Sequence, residues 1–146
     1  MSTPFGPQLI GETEKTFGAI LRRLLEETGL SDSQWVILRL ADRLDGSVDA
    51  NGLATAATDR AHFSNAGELV NELTRRGLLE SGRLTSAGRE MTAAIQTAIA
   101  TTTARIWENL PADDVAAATR VLNEIVTRAR AVLASGPFSP VSAKNV

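Results

Sequence analysis

Few side chains in the sequence are equipped to do chemistry. Cysteine and tyrosine are absent and histidine occurs once, as His62. Thiolate chemistry, a disulfide framework and the usual zinc or iron–sulfur ligand sets are therefore excluded. No nucleophile–base pair stands out, so only carboxylates remain for acid–base work; an enzyme is not expected, and no metal or cofactor is implied. What is left is a polar and basic group within one short stretch: Arg60, His62, Ser64, Asn65, Glu68, Arg75, Arg76 and Arg83. Guanidinium groups suit phosphates, asparagine can pair bidentately with adenine, and glutamate can accept from cytosine. Each also has an ordinary reading. Asn65 and Glu68 have capping-box spacing, which is favoured over base contact for Glu68 and weighs equally for Asn65. A lone histidine is more often solvated, and surface arginines usually serve solubility and weak ion pairs.

The charge balance limits what this stretch can do. The chain has 146 residues, 43% of them apolar, and a formal net charge of −2. That composition is globular and excludes sequence-blind coating of nucleic acid. From Asp59 to Glu90 five arginines (Arg60, Arg75, Arg76, Arg83, Arg89) are matched by five carboxylates (Asp59, Glu68, Glu72, Glu80, Glu90). No basic leader precedes an apolar stretch, and no apolar run approaches the roughly 20 residues that span a bilayer, so a cytoplasmic location and no membrane partner are expected.

The elements that position these residues read as helices. The length suits one compact domain, and strand signal is scarce. A first helix is expected from Pro7 to about Glu27, with Ile10, Phe17, Leu21 and Leu24 at helical spacing and Gly29 as a stop. Ser31 and Gln34 form a capping box before a helix burying Ile37, Leu40, Ala41 and Leu44. Asp45 to Ser47 make a turn, and Asp49 caps a short helix burying Leu53, Ala54 and Ala57. Residues 58–63 then read as a connector. The next helix places Ala66, Leu69, Val70 and Leu73 on one face and closes at Gly77. Ser81 and Gly82 suit a hairpin turn between two very short strands. Thr85 caps a long fifth helix with an expected buried line of Met91, Ala94, Ile95, Ala98, Thr102 and Ile106. A sixth helix opens at Pro111, carries Asp113 and Asp114 at its positive end, and bears an apolar seam of Val115, Ala118, Leu122, Ile125, Ala129 and Val132. The stretch 136–146 has no periodicity and reads as a flexible tail.

A short helix, a helix ending in RRGLL, a tiny hairpin and then LTSAGREM follow the order of a helix-turn-helix with a reduced wing. Through SDSQWVIL, GLATAA, ELVNELTRRGLLE and LTSAGRE, in that order, the sequence resembles the MarR family of dimeric winged-helix regulators over about Leu9 to Leu133. The resemblance implies a mainly α fold: a winged helix-turn-helix lobe over 31–85 with a very short β-hairpin wing, and long dimerisation helices over 7–28 and 86–135. It implies a homodimeric transcriptional regulator that binds double-stranded DNA, most simply a repressor of a pseudo-palindromic operator. It also implies release by a small aromatic effector, with Trp35 at the position that can line an effector crevice, although packing into the core is the commoner role for an indole. Trp107 belongs more naturally to the dimer body. Three features depart from the family's pattern: ESGR leaves Arg83 as the only wing arginine, the connector from Ala57 to Phe63 is longer than the usual turn, and Glu68 stands where a basic or neutral contact residue is common. These departures motivate an alternative, a MarR-like dimer without independent DNA binding that serves as a protein-interaction or ligand-sequestering module.

Overall fold

The computed structural model describes residues 1–136 and 138–142. It resolves into two compact units, 1–104 and 105–146. In the first, α1 (Pro7–Leu25) starts with proline in its first turn, where the missing N–H is no loss, and tightens into a 3-10 turn at Glu26–Thr28. Gly29 closes it at φ 72°, a conformation that costs glycine nothing. The capping box of α2 (Asp32–Leu44) is present: Gln34 N–H donates to Ser31 Oγ at 3.1 Å, and Ser31 N–H donates to Gln34 Oε1 at 3.0 Å. Helix α3 (Ala50–Ala61) is capped by Asp49, whose Oδ1 accepts from Gly52 N–H at 2.8 Å. Helix α4 (Ala66–Arg75) follows, then β1 (Leu79–Glu80) paired antiparallel with β2 (Arg83–Leu84), with Leu79 opposite Leu84 and Glu80 opposite Arg83. Helix α5 (Ser86–Trp107) begins in this unit, where Thr85 Oγ1 accepts from Gly88 N–H at 3.0 Å. This is the expected fold: mainly helical, with a minimal hairpin wing after a helix-turn-helix.

The core explains why α2, α3 and α4 pack together. Trp35, Ile37, Leu38, Leu40 and Ala41 of α2, Leu53 and Ala57 of α3, and Ala66, Leu69, Val70 and Leu73 of α4 are buried in one cluster. Leu79 and Leu84 seal it from the wing, and Leu25, Leu30 and Ile95 from α1, the following turn and α5. A fully buried residue of this size contributes roughly 1.5–3 kcal/mol, so the lobe is held mainly by these interdigitated faces. The N-terminal half of α1 adds little: Ile10 is exposed, Phe17 half-buried, and only Leu25 of this helix is fully buried.

Two expectations are corrected. Residues Thr58 to Ala61 continue α3 instead of forming a connector, and His62 at φ 58° ends the helix with its N–H on the Thr58 carbonyl. Nothing in TDRA breaks a helix, and Ala57 already anchors its face in the core, so the real link to α4 is only His62–Asn65. The buried line of α5 is also rotated. It runs through Gly88, Thr92, Ile95 and Thr103, with Met91, Ala98 and Ile99 half-buried, while Ala94, Thr102 and Ile106 are exposed. The glycine sets this phase by packing against the Leu78 carbonyl and Leu84. Thr103 meets burial by donating from its hydroxyl to the Ile99 carbonyl at 2.8 Å.

The second unit takes in the end of α5, a turn with Asn109 at φ 61°, and α6 (Ala112–Ser135). No residue of α6 is buried. Along its seam Val115, Leu122 and Val132 are 45%, 42% and 58% exposed, and Val121, Val126 and Leu133 are exposed beside them. Glu124 and Arg128 pair at 2.9 Å one turn apart. The tail expected over 136–146 lies partly outside the described residues, at 137 and 143–146; residues 138–142 carry no regular secondary structure.

Candidate nucleic-acid interface

Helix α4 is strictly two-faced. Ala66, Leu69, Val70 and Leu73 are buried, while Gly67, Glu68, Asn71, Thr74 and Arg75 face outward, after exposed Ser64 and Asn65. Asn65 is the N-cap residue, but its side chain makes no capping hydrogen bond, so the capping box that the spacing of Asn65 and Glu68 suggested does not form. Its amide is left facing solvent at the helix start together with Ser64 and His62, all exposed. This end of the helix also carries unsatisfied backbone donors, which favour an anionic partner.

The basic residues divide by what they already hold. Arg76 is committed to the protein: its guanidinium donates to the Thr28 carbonyl at 2.9 Å and the Gly29 carbonyl at 3.1 Å, capping the 3-10 turn after α1. Arg83 lies back over the turn between α2 and α3, donating to the Gly46 carbonyl at 3.4 Å. The hairpin tip is tucked in the same direction. Ser81 and Gly82 have φ of 51° and 80°, and a Cβ on Gly82 would fall 2.6 Å from the Asp49 carbonyl carbon and 2.8 Å from Ala50 N. The four-residue wing therefore rests on the start of α3 instead of standing away from the lobe. Arg60 and Arg75 are exposed and make no ion pair or hydrogen bond among the described residues.

Sequence reasoning missed two residues. Arg39 and Arg43, one turn apart on α2, line a groove of about 240 Å³ with Val36, Leu40, Ala61 and Arg60. The i,i+4 spacing of the two arginines was the available signal, but nothing in the sequence set the end of α3 beside it. A second link crosses the lobe from α2 to α4, where Gln34 Nε2 donates to Glu72 Oε2 at 2.9 Å. Trp35 is 2% exposed and sits among the core side chains, the packing role for an indole. No group of three metal-ligating side chains occurs among the described residues.

A helix-turn-helix whose second helix presents a polar face, followed by a hairpin and flanked by long helices, defines the winged helix-turn-helix architecture. No protein-family model and no curated protein matches the chain. Among solved structures it shares its fold with CouR from Rhodococcus jostii RHA1, whose crystal structure was determined bound to p-coumaroyl-CoA. The TM-score is 0.58 at 20% identity, covering 90% of this chain and 93% of CouR.

Proposed function

We propose that the chain is a homodimeric transcriptional regulator that binds double-stranded DNA through α4 and acts as a repressor at a pseudo-palindromic operator. The observation that carries this reading is the division of α4: its apolar face is wholly consumed by the core, while Ser64, Asn65, Glu68 and Asn71 are exposed. Asn65, free of a capping bond, is the residue best suited to read a base edge, and Arg60, Arg75 and Arg83 are the candidate phosphate contacts. Because the arginines of this stretch are matched by carboxylates, one copy supplies little electrostatic affinity. Two copies with reading helices about 34 Å apart double the contact set. The exposed seam of α6 is the face that a second copy would cover, with α1 and α5 completing the dimerisation helices. Release by a small aromatic effector completes the proposal, supported by the p-coumaroyl-CoA bound in CouR. A coupling of about 1–3 kcal/mol would weaken operator binding about 5- to 150-fold.

Selection from a random duplex pool, with binding then measured at several salt concentrations, tests the proposal. It requires an inverted repeat with half-sites about ten base pairs apart. Arg83→Ala should weaken binding almost uniformly across sequences. Equal, weak affinity for every duplex would favour the interaction module instead, a reading supported by the tucked wing and the internally bonded Arg76. Leu122→Asp places a charge in the α6 seam and should give a monomer by light scattering; a wild-type chain that is already monomeric at working concentration would defeat the dimer.

A further inference from the structure

We infer that the groove between α2 and α3 is a binding site for a small phosphorylated organic molecule, held by Arg39, Arg43 and Arg60. Three guanidinium groups line one concavity of about 240 Å³. None of them makes an ion pair or hydrogen bond among the described residues, whereas Arg76, Arg83 and Arg89 of the same unit each bond a backbone carbonyl. Arg39 and Arg43 are like charges at i,i+4, an arrangement that costs rather than stabilises, and Arg60 adds a third charge from the facing helix. No carboxylate is among the residues lining the groove, and none forms an ion pair with these arginines among the described residues.

The chemistry of the groove selects its ligand. Three positive charges are matched more nearly by a diphosphate, or by a phosphate monoester of about two negative charges, than by a single carboxylate. Guanidinium forks recognise phosphoryl oxygens bidentately and hold their charge at every physiological pH. The remaining wall is apolar, made by Val36, Leu40 and Ala61, so a bare inorganic ion would leave part of the site unused. The phosphoryl group sits among the arginines and the organic part lies along the apolar wall. Arg60, a candidate phosphate contact in the reading above, supplies the third charge of this site from α3. The site involves neither α4 nor the wing, and it stands whether or not the chain reads an operator.

The test uses the full chain and no DNA in its first arm. Inorganic pyrophosphate is titrated by calorimetry at constant ionic strength, with acetate as the monoanion control, and phenyl phosphate is compared with inorganic phosphate to probe the apolar wall. Saturable pyrophosphate binding is expected, without acetate binding and with phenyl phosphate tighter than phosphate. Arg43→Gln and Arg39→Gln should each weaken pyrophosphate about tenfold, the loss expected for one charged hydrogen-bonding group. Arg23→Gln, elsewhere on the same unit, should leave the affinity unchanged, and circular dichroism verifies that each variant is folded. Non-saturable binding, or equal affinities in all three variants, overturns the site. In a second arm, Arg39→Gln and Arg43→Gln are assayed on duplex DNA: variants that lose DNA affinity from a chain that does not bind pyrophosphate assign the arginines to the nucleic-acid backbone and also overturn it.

Discussion

Gly88→Ala isolates the contact on which the orientation of α5 depends. In an open helix this change would stabilise, because alanine restricts the unfolded chain and is a better helix former by about 0.5–1 kcal/mol. At position 88 the new Cβ would lie inside contact distance of the Leu78 carbonyl oxygen, 3.1 Å from that carbonyl carbon and 3.3 Å from Leu84 Cδ2. Backbone cannot step aside as a flexible side chain does. The first turn of α5 must lift away from the wing, at an overpacking cost of about 1–3 kcal/mol. The same carbonyl accepts from Thr85 N–H at 3.1 Å, and straining that bond adds about 1 kcal/mol. After subtracting the helix-propensity gain, the net loss is about 2 kcal/mol, or on the order of 10 °C in Tm for a unit of this size. Urea and thermal unfolding should be measured beside Gly67→Ala on α4, where a Cβ meets nothing within 4 Å and a gain of about 0.5 kcal/mol is expected. A Gly88→Ala protein as stable as Gly67→Ala would refute the close approach and the rotation of α5 derived from it.

Two further substitutions separate residues that look alike in the sequence. Ser31→Ala removes a formed capping box and should cost about 1 kcal/mol in urea unfolding, whereas Asn65→Ala, which removes no capping bond, should leave stability within about 0.5 kcal/mol and relax base preference at one operator position. Arg76→Ala should cost about 1 kcal/mol, discounted for exposure, and speed amide exchange around Thr28 and Gly29; the same change at Arg75, which makes no hydrogen bond or ion pair among the described residues, should do neither.

The helical lobe was legible because its signals are local. Ser31 and Gln34, Asp49 with Gly52, the stripe from Ala66 to Leu73 and the Ser81–Gly82 turn each act within a few residues, and the folded chain uses all of them. The phase of α5 was not legible: Met91, Ala94 and Ala98 make as good an apolar stripe as the observed line, and the choice rests on a glycine meeting a carbonyl ten residues earlier in the chain. The length of α3 was misread because polar residues following Ala57 resemble a loop when nothing shows that the helix continues. At the candidate site, residue types identified the outward face of α4. Composition cannot reveal that Arg76 and Arg83 turn back onto the protein, or that Arg39, Arg43 and Arg60 share a groove, since those facts depend on which helices lie side by side.

The bonds from Arg76 to Thr28 and Gly29, with that from Gln34 to Glu72, tie the far end of α4 to the close of α1 and the opening of α2. These links add a polar restraint to the core that Leu25 shares with Leu69, Val70 and Leu73, so a tilt of α4 against the last turn of α1 must disturb both.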